Sequence, residues 1–474
     1  MIMGAVVLAA ACGPKSSAQV EKVEICTEVG DYGLLVDAIE ITVANPRSLK
    51  GLTAADFDLV NNTSGAFIDA ATGKPAEAYA EDGIVLSRKK NVLRIEATPF
   101  GKDGRMEGFF KRVPWELHCA ADSALNVKPE QVSAEHIAVL DDCIHGEFSF
   151  GGLTREYMLH LPKDANGNVI KNVPLLVWQI GGGEYNKDMM TVATANRCLV
   201  SLAKEGVPCA ALVFALANPN YSYSASLYPE KIELIDRNNA LQMAFIDTLI
   251  ADGTVDGSRL FCAGASSGGG CTMRFMMQFA DRFKAAIPCC AMDPIVPIHK
   301  VDEKYPGQFT DDVEKVWTSD KAVYKWDGSN MVLGPMDVEA FVKLPLYFVH
   351  AETDKTCKVA STYAYSEARK RLGATSDKVL IYSDEDLISW GVAPMMAHFS
   401  WTMWIGTIGS IAQHGMAALK RSGNCITKRI VQPPPLEAPA QKTRLPSTVP
   451  SAMSVSMKAI WRALLRSTSS MRSG

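Results

Sequence analysis

Two rhythms of apolar and polar residues divide the chain. From residue 20 to about 122 the apolar stretches are short and closely punctuated: Leu34–Val36, Ile39–Val43, Asp56–Val60, Gly83–Ser87 and Val92–Glu96. Ile39–Val43 alternates with period two, as a strand does when one face meets a core and the other meets water. Asn61–Asn62 and Ala71–Lys74 supply turn chemistry between such runs. The polar, irregular stretch 123–142 reads as a linker. Beyond it the pattern changes. Phe148–Pro162 alternates as a hairpin, with Glu156–Leu161 as its second arm. Then come nearly continuous apolar runs, Val173–Ile180, Cys209–Leu216, Leu260–Ala263, Ala285–Ala291, Leu344–His350 and Lys378–Tyr382. Runs of this kind mark strands buried on both faces. Between them lie stretches of helical length and spacing: Met189–Glu205, Ile232–Ala251, the residues after Ser266 through Ala280, and Ala360–Leu372. Strands alternating with helices predict an α/β fold, a doubly wound, mostly parallel sheet with function at the C-terminal ends of its strands.

This pattern sets the expected domains. Regular short strands with turns over 20–122 predict an all-β, immunoglobulin-like sandwich. The α/β domain is expected over 143–423. Within it, 294–342 breaks the strand–helix rhythm, and a loop-rich insertion of that length reads as a lid. From 424 to 474 the chain turns Pro-, Ser- and Thr-rich and basic, and a disordered tail is expected.

Composition adds compartment and partners. The 474 residues are 47% hydrophobic and 21% charged, ordinary globular values. A net charge of −4 offers no basic field for nucleic acid, so no nucleic-acid partner is expected. Residues 1–19 carry a short apolar run, too short to span a bilayer and similar to the core of an export signal. Small residues lead into Cys12, an arrangement that resembles a bacterial lipoprotein signal and implies export with a membrane tether through lipidated Cys12. Twelve cysteines are scattered through the chain. Cys262, Cys289 and Cys290 fall inside expected core strands, where a thiol serves as a small hydrophobe. Cys26 and Cys119 bracket the first domain, and their pairing stays open. No Cys or His spacing fits a metal site, and no cofactor is expected.

The candidate chemistry centres on Gly264-Ala-Ser-Ser-Gly268, a G-x-S-x-G match between an expected strand and an expected helix. There a serine sits on a tight strand-to-helix turn with its hydroxyl exposed. An attacking serine also needs a base, an acid to orient the base, and N–H donors for the oxyanion. In strand–turn–helix hydrolases these follow the order oxyanion loop, Ser, Asp or Glu, His. Gly181-Gly182-Gly183-Glu184 follows the strand Val173–Ile180 and offers backbone N–H groups free of Cβ obstruction. Asp354 follows a later strand and takes the acid position, with Glu352 and Asp293 as alternatives. His398 and His414 are the histidines after it; His414 falls in an expected helix, which leaves His398, in a loop, as the base. The expected oxyanion donors are the N–H of Ser267 and those of Gly181, Gly182 and Gly183. Tyr221, Tyr223, Trp317, Trp326 and Trp401 are candidates for substrate contact.

Gly-Gly-Gly-Glu, Gly-Ala-Ser-Ser-Gly-Gly, His-Ala-Glu-Thr-Asp and His-Phe-Ser-Trp resemble the signature stations of α/β-hydrolases of the polyhydroxybutyrate-depolymerase-like and feruloyl-esterase-like group. The likeness covers roughly Phe148 to Arg421, and some members carry an N-terminal immunoglobulin-like domain. Where the family has His before the oxyanion glycines, this chain has Ile180. The resemblance implies a serine esterase with the triad Ser266, His398 and Asp354, acting on short-chain, acetyl or hydroxycinnamoyl esters, including ester decorations of plant polysaccharide. A prolyl-oligopeptidase-like peptidase shares the triad and fold. A binding lipoprotein on a hydrolase fold is the reading from another class.

Overall fold

The computed structural model describes residues 17–30, 33–60, 67–69, 75–76, 84–96, 104–106, 115–195, 198–204, 208–217, 229–291 and 322–389. Contacts divide the chain into two units, the first ending in sequence at Ala138 and the second continuing from Val139.

The N-terminal unit is built of strands β1 (Val20–Gly30), β2 (Gly33–Val43), β3 (Phe57–Val60), β4 (Phe67–Asp69), β5 (Pro75–Ala76), β6 (Val85–Lys89), β7 (Val92–Glu96), β8 (Gly104–Met106), β9 (Glu116–Cys119) and β10 (Ala134–Ile137). They form a five-stranded sheet in the order β10-β1-β2-β7-β6, a β3-β9 pair and a three-stranded β5-β4-β8 sheet. Alternate residues of β2, Ile39, Ile41 and Val43, are buried, as its period-two pattern requires. The stretch expected to be a linker is instead structured. Its strand β10 pairs in parallel with β1, from Glu24↔Ala134 to Thr27↔Ile137. Leu125, Val127 and Ile137 are buried. Only Ile137 of the four β10 residues is buried, so its own sequence carries no alternation. The pairing is supplied by a strand more than a hundred residues earlier. Cys26 and Cys119 are both free thiols.

The C-terminal unit continues with β11 (Ile144–Phe150), β12 (Leu153–His160), β13 (Val173–Gln179), helices α1 (Met189–Ala195) and α2 (Cys198–Lys204), β14 (Ala210–Phe214), α3 (Pro229–Ala251), β15 (Val255–Ala265), α4 (Ser267–Phe279) and β16 (Ala285–Cys289). It ends, among the described residues, with β17 (Ala322–Trp326), β18 (Met331–Pro335), α5 (Val338–Lys343), β19 (Tyr347–Ala351), α6 (Ala360–Arg371), β20 (Lys378–Tyr382) and α7 (Asp384–Ser389). The eight-stranded sheet has the order β11-β12-β14-β13-β15-β16-β19-β20. Strand β12 runs antiparallel to both β11 and β14, and every other pair is parallel. All of β13 and β14 is buried, matching their continuous apolar sequence. After β13 the chain moves outward to β14, then crosses back to place β15 on the other side of β13. A doubly wound sheet opens its ligand crevice at such a reversal, beyond the C-terminal ends of the two strands.

Within the stretch Met189–Glu205, the described residues Met189–Ala195 and Cys198–Lys204 are helical. In the expected lid, residues 322–335 form a hairpin, β17–β18, with registered pairs from Ala322↔Pro335 to Trp326↔Met331. The hairpin is tied to the body by buried polar groups. Asp236 of α3 accepts two bonds from Arg274 of α4, at 2.7 and 2.5 Å, and a third from the Tyr324 N–H at 2.8 Å. Gln278 of α4 donates to the Tyr324 carbonyl.

Candidate active site

Ser266 stands between β15 and α4 with φ 58° and ψ −123°. A positive φ is costly for a residue with a Cβ and persists only where the surroundings impose it. Here the Ser266 N–H donates to the Cys289 carbonyl at 3.1 Å, and the Ser266 carbonyl accepts from the Gly270 N–H at 3.2 Å. The glycines around it leave no space for side chains. A Cβ on Gly268 would lie 2.1 Å from the Gln179 carbonyl oxygen, one on Gly264 2.5 Å from the Gly268 carbonyl oxygen, and one on Gly269 2.6 Å from the Cys289 carbonyl oxygen. Backbone therefore packs on backbone, and the first turn of α4 lies directly on the end of β13.

That contact brings in the glycine loop. Beyond Gln179 the chain makes a short 3₁₀ turn at Gly182–Glu184. A Cβ on Gly181 would meet the Ala265 carbonyl at 3.3 Å, and one on Gly182 would meet Ser267 Oγ at 3.1 Å. The loop thus lies against the Ser266 turn, at the strand reversal between β13 and β15.

Asp354 follows β19 and is buried, 5% exposed, whereas Glu352 is exposed. Its Oδ1 accepts from the N–H groups of Thr356 and Cys357 at 2.8 and 2.9 Å. Buried His350 reaches the same loop. Its Nε2 lies 2.8 Å from the Cys357 carbonyl, which can only accept, so Nε2 carries a proton; the same nitrogen lies 3.5 Å from Asp354 Oδ2. The His350 Nδ1 lies 2.8 Å from Thr362 Oγ1. Cys357 Sγ is 3.7 Å from Ser266 Oγ, so a single residue spans from the Asp354 loop to the serine hydroxyl. Burial, and after it the Asp354 carboxylate, push the nearby Cys290 thiol far up, which keeps it protonated and inert. Burial likewise pushes Cys289 up to about 12.

Ser266, Ser267, Gly181, Gly182, Gly183 and Asp354 therefore gather at one end of the sheet. Trp326 does not join them in any described contact: its ring packs on Phe150, with centroids 4.8 Å apart, and lies over Gly151. His398, the alternatives His414 and Asp293, the aromatic candidates Tyr221, Tyr223, Trp317 and Trp401, Cys12 and the 424–474 tail all lie outside the described residues. Sequence reasoning assigned no role to Glu184, His350 or Cys357. Glu184 and His350 lay inside the quoted motifs Gly-Gly-Gly-Glu and His-Ala-Glu-Thr-Asp, and that position was their only signal.

Comparison with known proteins agrees with this architecture. The sequence model of the prolyl oligopeptidase family matches residues 238–387, less than half of the chain. No curated protein matches the chain. Among solved structures, a thermostable esterase is 20% identical over 85% of this chain and 98% of its own, with a TM-score of 0.52. Est1E from Butyrivibrio proteoclasticus is 14% identical over 58% of this chain and 99% of its own, with a TM-score of 0.33. The mixed sheet, the strand reversal and the likeness to the thermostable esterase together give the C-terminal unit the α/β-hydrolase fold.

Proposed function

We propose that the protein is a serine hydrolase of carboxylic esters. The observation that carries this reading is Ser266, held at positive φ on the strand-to-helix turn with the glycine loop against Ser267. In this reading Ser266 Oγ attacks the ester carbonyl, and the oxyanion is met by backbone N–H groups of Ser267 and of the glycine loop. Asp354 is the acid and His398 the base: the carboxylate orients the imidazole, which takes the serine proton and returns it to the leaving alcohol. Water then releases the acid from the acyl-enzyme. The substrate class is a short-chain, acetyl or hydroxycinnamoyl ester, such as those decorating plant polysaccharide, met by an exported protein. The N-terminal unit acts as an immunoglobulin-like accessory domain.

The match to the prolyl oligopeptidase family favours a second reading, a serine peptidase with the same residues. One assay separates the two. Purified wild type and Ser266→Ala are compared on p-nitrophenyl acetate, p-nitrophenyl butyrate, methyl ferulate and a peptide p-nitroanilide. The expected result is ester hydrolysis by the wild type, reduced at least ~1000-fold in the variant. Equal ester rates in the two proteins sink the proposal, and faster peptide than ester cleavage transfers it to the peptidase.

A further inference from the structure

Three consecutive glycines make a poor platform for charge stabilisation unless something holds them, because glycine has the widest conformational range of any residue. An oxyanion donor is effective only when it is already in place as the charge develops. Glu184 closes the loop in both directions. Its Oε2 accepts from the Gly181 N–H at 2.5 Å, and its own N–H donates to the Gly181 carbonyl at 3.0 Å. Its side chain is buried, with the residue 4% exposed. Gly181 is confined between this carboxylate, 3.2 Å from where its Cβ would stand, and the Ala265 carbonyl that precedes Ser266.

We propose that Glu184 is the positioning residue of the oxyanion loop. Its carboxylate engages the Gly181 N–H and fixes the loop against the Ser266 turn. With that N–H committed to Glu184, the oxyanion contacts pass to the N–H groups of Gly182, the glycine that faces Ser267, and of Gly183, and to the N–H of Ser267. The inference rests on the esterase reading and narrows its donors from four to three.

The acceptor oxygen, rather than the negative charge, carries the role. Gln keeps an oxygen of the same reach, Asp keeps the charge but falls one methylene short, and Ala keeps neither. Interactions made only in the transition state appear in kcat and leave KM in place. The test measures kcat and KM of the full-length wild type, Glu184→Gln, Glu184→Asp and Glu184→Ala on p-nitrophenyl butyrate, with Ser266→Ala alongside and circular dichroism on each. Losses of ~10–100-fold in kcat are expected for Asp and Ala, with KM within about twofold, and recovery to within about threefold of wild type for Gln. Should the Ala variant fail to fold, the Gln and Asp pair still decides. The proposal is overturned if the Asp variant outperforms Gln, if all variants match the wild type, or if the loss lies in KM alone. If Ser266→Ala is as active as the wild type, or neither hydrolyses the ester, the underlying reading fails first and this inference falls with it.

Discussion

At the scale of single residues, the backbone of Ser266 is the costly element. A side chain at φ 58° and ψ −123° is strained, and the strain is released on unfolding. Two variants that both remove the hydroxyl isolate this term. Ser266→Gly relieves the torsion and Ser266→Ala keeps it, while Gly returns part of the gain through a looser unfolded chain. Denaturant unfolding is expected to find the Gly variant more stable than the Ala variant by about 1 kcal/mol. The reverse order would mean that the turn is not strained. The residues that carry local motifs were legible here: Ser266 and the glycines sit in a pattern a few residues long, and Asp354 follows from its place after a strand. His350 and Cys357 were not assigned, because their roles depend on partners that only the folded chain brings close; Glu184 was not assigned although its partner Gly181 is three residues away, because a glycine run does not show which of its N–H groups is engaged. For His350 those partners are a carbonyl seven residues on and a hydroxyl twelve residues on.

At the scale of elements, α3 and α4 are joined by an ion pair removed from water. Side chains of Asp236 and Arg274 are 0% and 4% exposed. Burial pushes the Asp236 carboxyl up, against the pull of Arg274 and the Tyr324 N–H. Replacing both partners by apolar residues can be nearly neutral, but removing one strands the other. Asp236→Ala is therefore expected to destabilise the protein by about 3–5 kcal/mol, and Asp236→Leu with Arg274→Met by much less. Equilibrium unfolding of the two variants measures the difference, and similar losses would show that the charge is not the issue. The strands and helices of the sheet were legible because each buried strand reads as an unbroken apolar run and each helix as a repeating face. Strand β10 and the β17–β18 hairpin were hidden. Their partners are β1, over a hundred residues away, and the polar face shared by Asp236 and Gln278, and neither leaves a periodic trace.

At the scale of the whole molecule, His160 links stability to pH. It is 8% exposed in β12, and neither ring nitrogen has a hydrogen-bond partner among the described residues. Burial holds its pKa below the ordinary 6.5; Asp142 opposes the shift and Lys163 adds to it. Well above pH 6.5 the ring is neutral in folded and unfolded chains alike, so it makes no difference there. As pH falls through 6.5 the unfolded chain takes up a proton that the folded chain resists, and stability is lost. Between pH 7.5 and 5.5 the wild type is expected to lose more stability than His160→Leu, by no more than about 1.4 kcal/mol. Parallel pH slopes for the two proteins would exclude the histidine as the source.

The glycine seam where the start of α4 packs on the ends of β13, β15 and β16 also governs how this chain can vary. At Gly264, Gly268 and Gly269 the space for a Cβ is already filled by backbone, so no rearrangement of side chains can make room. At Gly334 nothing lies within 4 Å of the same atom. Neutral drift is open at Gly334 and closed at the seam. The route from this chain to a new chemistry therefore runs around a fixed hinge of three glycines, with novelty confined to the loops that surround it.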